Sequence, residues 1–153
     1  MAGTWSCILA LALHPDVQRK GRVLVDARLQ GRLPDFSDFG TMPYVDAIVN
    51  ESLRWNPVTP LGVPHCARQD DYYEGHLIKK GTMVFGNIWA LLRDENAYGR
   101  DTDKFIPERW LTKEGTFNPD MDTEAAFGFG RRICPGKGDL TDQPIHLCEG
   151  LTG

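Results

Sequence analysis

The residues whose types and spacing could do chemistry lie in one ten-residue segment, positions 127–136. It consists of Phe-Gly-Phe-Gly-Arg-Arg-Ile-Cys-Pro-Gly, and its single thiol, Cys134, follows two arginines. Its glycines allow the backbone to bend closely around a bound group. Neighbouring cations favour the thiolate form of a cysteine, and a thiolate is a preferred ligand of soft metal centres. The segment therefore predicts a loop that offers a sulfur ligand to a metal such as haem iron.

A glycine-rich loop or a lone cysteine can also serve other functions. A phosphate-binding loop would need glycine at the position of Arg131, and a dinucleotide-binding loop would need glycine at the position of Ile133. Both are excluded by this mismatch. A nucleophilic cysteine needs a histidine partner; His65 or His146 could serve, although nothing in the sequence places either one. A buried structural cysteine also stays open.

Length, composition and charge narrow the class of protein. The chain has 153 residues, of which 41% are hydrophobic and 25% charged, as in an ordinary globular domain or part of a larger one. Its formal net charge is −4, and its basic residues do not gather into a stripe. We therefore expect no nucleic-acid partner.

The four cysteines predict free thiols in a reducing compartment. They form no Cys-x-x-Cys pair and no zinc spacing with the four histidines. The chain is also not dense in cysteine, as small disulfide-stabilised domains are. The cysteines are Cys7, Cys66, Cys134 and Cys148.

Helices are expected in the first third of the chain. Residues 5–13 form an apolar run that resembles the core of a signal peptide but lacks a basic start. The run is too short to span a bilayer, so we expect the end of a buried helix. Pro15 begins a second helix that ends before Gly31. Pro43 begins the clearest one, which runs to Pro57.

A small antiparallel sheet is expected next. Residues 65–85 alternate aromatic and β-branched residues with glycine turns, and residues 88–92 form at most one short helix. Residues 93–126 show no sustained period, but their aromatic residues predict a packed segment. The predicted fold class is mainly α with a small antiparallel β part.

Glu51 and Arg54 lie three residues apart in the predicted third helix, so they share one face. A solvated surface ion pair is the commoner outcome of this spacing and contributes little to stability. Apolar neighbours make partial burial the alternative. Both remain open at the level of these residues.

Four motifs, taken together and in order, resemble those of the cytochrome P450 family. Phe127-x-x-Gly130-x-Arg132-x-Cys134-x-Gly136 is similar to the family's haem-binding motif. The others are Glu51-x-x-Arg54, similar to Glu-x-x-Arg of the family's K helix; Pro64-His65, similar to the stretch that reaches a haem propionate; and Pro107-Glu108-Arg109-Trp110, similar to Pro-Glu-Arg-Phe with Trp for Phe. The resemblance is to eukaryotic microsomal members of fungal type.

The resemblance implies roles for these residues. Cys134 would be the axial ligand of the haem iron, within a loop that requires Gly130 and Gly136. Arg132 and His65 would pair with the haem propionates. Phe127 would pack beside the proximal haem face, and a buried structural network would join Glu51, Arg54 and Arg109.

The resemblance also implies an activity and partners. The family's members are haem-thiolate monooxygenases that insert one atom of O2 into an apolar small molecule, with electrons from NADPH through a reductase. The full-length parent would lie at the endoplasmic reticulum membrane. A catalytically inactive fragment, binding haem weakly or not at all, is the alternative.

The sequence departs from the family pattern at both ends. Trp5 stands where the oxygen-activating helix carries an acid, so Ser6 is not expected to be its catalytic hydroxyl. We expect residues 1–136 to form a partial cytochrome P450 domain, without the membrane anchor and most of the substrate pocket. Residues 137–153 are expected to form an irregular tail, produced by an altered reading frame or a retained intron.

Overall fold

The protein is described by a computed structural model, which covers residues 2–38 and 40–137. Within them lie five α-helices and two pairs of antiparallel strands, so the predicted fold class is confirmed. The helices are α1 (Ala2–Leu13), α2 (Pro15–Leu29), α3 (Pro43–Trp55), α4 (Ile88–Leu91) and α5 (Glu95–Tyr98). The strands are β1 (His65–Cys66), β2 (Asp71–Tyr73), β3 (His76–Ile78) and β4 (Met83–Val84).

The helix boundaries follow the sequence. Proline occupies the first turn of α2 and of α3, where its missing N–H costs no hydrogen bond. Gln30, in the left-handed conformation, ends α2 and donates its N–H to the Asp26 carbonyl. Both predicted helices are confirmed.

Helix α3 is the central element of the described chain. Its core residues include Val45, Ile48 and Leu53, which pack with residues of α1 and α2 in one hydrophobic cluster. A second cluster joins Ala47 of α3 to Trp110. Because α3 lies in both clusters, it links the N-terminal helices to the segment that ends in the cysteine loop.

Helix α1 differs from the buried helix that the sequence predicts. Cys7, Ala10 and Leu11 are buried, whereas Trp5 and Leu9 on other sides of the helix are exposed. The helix is apolar nearly all round, but only one of its sides has a partner within the described residues. The expected helix is therefore present, but within the described residues it is buried on one side only.

The strands form two separate antiparallel pairs. His65 of β1 lies opposite Val84 of β4, and Tyr73 and His76 flank the two-residue turn between β2 and β3. The small β part is confirmed.

The segment from 93 to 126 contains short elements that the sequence pattern does not reveal. They are α5 and the 3₁₀ turns at Pro107–Trp110 and Glu124–Phe127. Four residues are too few to show a period. No helix within residues 2–38 and 40–137 is both long and apolar enough to cross a membrane.

Candidate functional site

The cysteine loop is closed by backbone hydrogen bonds. The N–H of Cys134 donates to the Phe127 carbonyl at 2.8 Å, and the N–H of Ile133 donates to the Gly130 carbonyl at 3.1 Å. Gly128 and Gly130 have φ of 84° and 62°, a region that favours glycine. The loop thus turns back on itself between Phe127 and Cys134.

The thiol of Cys134 faces solvent, while the loop is held from the other side. Cys134 and Arg132 are exposed, whereas Phe127 packs against the larger hydrophobic cluster. An ion pair joins Lys137 to Glu124, with 2.5 Å between Nζ and Oε1. Phe127 therefore anchors the loop to the core and leaves the sulfur accessible.

Two further contacts fix the segment that leads into the loop. The buried Thr123 hydroxyl donates to the Asn50 side-chain oxygen of α3 at 3.0 Å. The Tyr98 hydroxyl donates to the Asp122 carbonyl at 2.9 Å. Burial raises the pKa of Tyr98 to about 12, so this hydroxyl keeps its donor proton across the neutral range.

Cys134 differs from the buried cysteine of α1. The thiols of Cys7, Cys66 and Cys134 are free, and only Cys7 is buried. Burial raises the pKa of Cys7, so that thiol stays protonated. Cys148 and His146 lie outside the described residues.

His65 lies on a segment next to the cysteine loop. It is exposed in β1 opposite Val84 of β4, and Gly86, two residues after Val84, lies against the ring of Phe129 in the cysteine loop. Within the described chain, no hydrogen bond or ion pair uses the side chain of His65 or Arg132. The strand pair β1–β4 and the cysteine loop are thus adjacent, with these two side chains turned to solvent.

The structure joins Glu51, Arg54 and Arg109 in one buried cluster. Both side chains of the Glu51–Arg54 pair are fully buried, with 2.8 Å between Oε2 and Nε, and the Arg109 Nε lies 3.1 Å from Glu51 Oε1. The alternative of a solvated surface pair is therefore wrong. In total the carboxylate accepts five hydrogen bonds, from Arg54 Nε and Nη2, Arg109 Nε, the Ile106 N–H and Trp110 Nε1.

Backbone carbonyls complete the coordination of the two guanidinium groups. Arg54 donates to the carbonyls of Leu92, Thr102 and Lys104 at 2.7–3.1 Å, so all five of its N–H groups have acceptors. Arg109 donates to the carbonyls of Tyr98, Arg100 and Asp101. The cluster fixes the otherwise irregular segment 92–110 onto α3.

Trp110 is a member of this cluster that the sequence did not assign. Its indole N–H donates to Glu51 Oε2 at 2.9 Å, and the residue is fully buried. The family motif has Phe at this position, which has no donor. The presence of Trp instead of Phe was therefore the sequence signal that could have indicated an additional polar contact at this position.

Ser6 is engaged at the far end of α3. Its hydroxyl donates to the Asn56 carbonyl at 3.2 Å and accepts from the Asn56 amide at 3.2 Å. The side chain is buried between α1 and the end of α3. This placement gives Ser6 a packing role in the described chain.

The donor set around Cys134 fits an iron porphyrin. Among residues 2–38 and 40–137, no group of three or more His, Cys, Asp or Glu is placed to hold a metal ion, whereas porphyrin iron needs only one protein sulfur. Arg132 and His65 supply exposed cationic or donor groups for carboxylates. Exposed apolar side chains, among them Val63 and Phe85, offer surface that a planar apolar ring could cover.

The structure thus presents a mainly helical fold with one exposed thiol in a glycine loop, and comparison with known proteins identifies its family. The family model described as cytochrome P450 matches residues 2–138. The chain belongs to the cytochrome P450 family.

Fungal relatives are similar along most of the chain. The cytochrome P450 monooxygenase eriA of Hericium erinaceus is 56% identical over 130 residues, which are 84% of this chain and 25% of the relative. The cytochrome P450 monooxygenase claR of Ampulloclitocybe clavipes is 42% identical over 146 residues, 94% of this chain and 27% of the relative. The chain thus spans about a quarter of the length of these curated relatives.

Proposed function

We propose that this chain provides the haem-thiolate site of a monooxygenase, with Cys134 as the sulfur ligand of the haem iron. The proposal rests chiefly on the exposed Cys134 thiol, held in a glycine loop that the Cys134 N–H closes on the Phe127 carbonyl. Bound haem would supply the chemistry of O2 activation. The chain itself would position the sulfur and limit the approach of water from the side on which Phe127 packs.

Arg132 and His65 are assigned to the haem propionates in this proposal. Both are exposed, lie on adjacent segments and make no side-chain hydrogen bond within the described residues. A guanidinium or a protonated imidazole forms strong, charge-assisted hydrogen bonds with a carboxylate. Gly130 and Gly136 would let the backbone approach the ring closely.

Family membership also supports a proposal for the substrate and partners of the whole protein. We infer an apolar small-molecule substrate and electrons from NADPH through a cytochrome P450 reductase, with the full-length parent at the endoplasmic reticulum membrane. The relatives eriA and claR carry the name monooxygenase, which supports the reaction class. Residues 1–136 are assigned to a partial cytochrome P450 domain, and residues 137–153 to an irregular tail that lies outside the described residues from position 138 onward.

A spectroscopic experiment tests the ligand assignment. The purified chain is loaded with haem, reduced and treated with carbon monoxide, and the Soret band is recorded. We expect the red-shifted band of a thiolate-ligated carbonyl complex. Cys134→Ala should abolish this band. The matched control Cys66→Ala, which removes the other thiol that is exposed among residues 2–38 and 40–137, should retain it. A retained band in Cys134→Ala would contradict the assignment.

The alternative function is a catalytically inactive fragment that holds haem weakly or not at all. One observation favours it: the outer side of α1 exposes Trp5, Ile8, Leu9 and Leu13, so the described chain lacks a cover for this apolar surface. The same experiment decides between the two proposals, because a chain that holds haem weakly or not at all shows no thiolate-type Soret band at stoichiometric haem.

A further inference from the structure

Phe129 lies in the cysteine loop with its ring against a glycine of another segment. A Cβ built on Gly86 would lie 3.2 Å from Phe129 Cε2, closer than the roughly 3.5–4.0 Å of an ordinary carbon contact. The same Cβ would lie 3.4 Å from Ile88 Cδ1, in ordinary contact. Gly86 does not have a positive φ. Its backbone would therefore accept another residue, and the ring of Phe129 is the group that an added side chain would push away.

The segment that receives the ring is itself well fixed. Ile88 is buried, and its N–H donates to the Gly86 carbonyl at 2.9 Å. The Trp89 N–H donates to the Pro60 carbonyl at 2.9 Å, and the Asn87 side chain accepts the Ala90 N–H at 3.0 Å. The ring of Phe129 thus rests on a segment that is hydrogen-bonded and anchored in the core.

The ring is also close in sequence to the bonds that shape the loop. Phe129 has an extended backbone, with φ −130° and ψ 150°, between the left-handed Gly128 and Gly130. The Gly130 carbonyl accepts the Ile133 N–H, directly before Cys134. Because two flexible glycines flank Phe129, a contact from outside the loop is needed to select one arrangement of the backbone.

We propose that Phe129, resting on Gly86, is a positioning residue that fixes the Cys134 loop relative to the β1–β4 strand pair. Phe127 holds the loop to the helical core, and Phe129 holds it to the strand side. Two aromatic anchors on opposite sides of one left-handed glycine set both the position and the tilt of the backbone that carries the sulfur.

Amide hydrogen exchange tests this proposal on the full chain without haem. In Gly86→Ala the added methyl should displace the ring, and exchange of the Ile133 and Cys134 amides should become about fivefold faster or more. The amides of α3 provide the internal control and should keep their protection. Phe129→Leu should accelerate the same two amides, whereas Phe129→Tyr, which keeps the ring, should behave as the unmodified chain.

A double variant shows whether the ring is the cause. In a Phe129→Ala background, Gly86→Ala should add no further acceleration, because no ring remains to be displaced. A full additional effect of Gly86→Ala in that background would overturn the proposal. So would unchanged exchange at Ile133 and Cys134 in both Gly86→Ala and Phe129→Leu. If Gly86→Ala unfolds the chain, so that α3 also loses protection, Phe129→Leu and Phe129→Tyr decide the question.

A second measurement connects the contact to the sulfur ligand, and this measurement rests on the proposed function. In the haem-loaded, reduced carbonyl complex, Gly86→Ala and Phe129→Leu should lower the fraction of the thiolate-type Soret band, while Phe129→Tyr retains it. Absence of any such band in the unmodified chain would count against the proposed function and leave the exchange result to decide on Phe129. A normal band in all three variants, with the exchange also unchanged, would reject the positioning role alone.

Discussion

At the scale of single residues, the Glu51 carboxylate is the common partner of the buried polar cluster. It faces two guanidinium groups, and five donors converge on its two oxygens. Removing one partner of a buried ion pair leaves an uncompensated charge, at a cost of about 3–5 kcal/mol. The carbonyls around Arg54 and Arg109 disperse the remaining positive charge.

Trp110→Phe should reduce the free energy of unfolding by about 1.5–3 kcal/mol, since it removes a hydrogen bond to a charged acceptor. Tyr98→Phe is the matched control: it removes a hydrogen bond to a neutral carbonyl and should cost about 1 kcal/mol. Urea unfolding midpoints measure both. Equal losses in the two variants would show that the bond from the indole N–H to Glu51 is no stronger than one to a neutral carbonyl.

Asp46 on α3 predicts a dependence of stability on pH. Its carboxyl group is half-buried, and burial raises its pKa from 3.8 to about 6. Because the folded state has the higher pKa, the contribution of the protonated group is fully present below about pH 4 and is lost as the pH rises through 6. Asparagine is neutral at both pH values, so Asp46→Asn should be more stable than the unmodified chain at pH 8 and about equally stable at pH 4. The gain in the free energy of unfolding at pH 8 should be at most about 2–3 kcal/mol. Urea unfolding at both pH values measures it, and a pH-independent effect would contradict the shifted pKa.

Helical spacing indicated only the Glu51–Arg54 pair and left its burial open, whereas the family resemblance implied a buried network that also includes Arg109. Spacing places Glu51 and Arg54 on one face of a helix, but it does not say what covers that face. The cover is the segment 92–110, which arrives from about forty to sixty residues further along the chain and has no period of its own. Its bonds to Arg54 come from backbone carbonyls, and these carry no sequence pattern.

At the scale of elements, the strength of the local pattern separates what could be predicted from what could not. Helices α2 and α3 combine an initial proline with apolar periodicity, and both follow the prediction. Helix α5 has only four residues, and its indication was the capping Asp94, whose side chain accepts the Asn96 N–H at 2.9 Å. A search for N-cap residues, rather than for periodicity, would have predicted helix α5.

The hairpin between β2 and β3 offers a prediction at this scale. Its turn residues Glu74 and Gly75 have φ of 48° and 80°, as in a type I′ turn, where Asn-Gly is favoured. Glu74→Asn should stabilise the hairpin by up to about 1 kcal/mol, because asparagine tolerates the left-handed conformation better than glutamate. Slower amide exchange at the hairpin would show it.

Gly75→Ala is the opposite test of the same turn. A Cβ at Gly75 meets no atom within 4 Å, but its φ of +80° is strained for alanine. Exchange at the hairpin should therefore become faster, although no steric contact is introduced. If Glu74→Asn and Gly75→Ala shifted exchange in the same direction, the assigned turn type would be wrong.

At the scale of the whole molecule, the chain spans about a quarter of the length of its curated relatives. The cysteine loop, the β1–β4 strand pair and the Glu51 cluster are connected through α3 and the segment 86–89. The outer side of α1 has no partner within the described residues. Family resemblance predicted the residues of the loop, but it did not predict which surfaces this chain leaves uncovered, since that depends on which other segments are present.

Two leucines of α1 allow the buried and the exposed side of this helix to be compared by experiment. Leu11 is 5% exposed in the core cluster, and Leu9 is 47% exposed on the outer side. Leu11→Ala should reduce the free energy of unfolding by about 2–5 kcal/mol, because it removes buried contacts and leaves a cavity. Leu9→Ala, the same change two residues away, should cost about 0.5 kcal/mol or less. Denaturant unfolding at two protein concentrations compares the two variants. A loss in Leu9→Ala as large as that in Leu11→Ala would show that the outer side of α1 is covered. If a second copy of the chain is the cover, that loss should depend on protein concentration. If the cover belongs to the same chain, the loss should not depend on concentration.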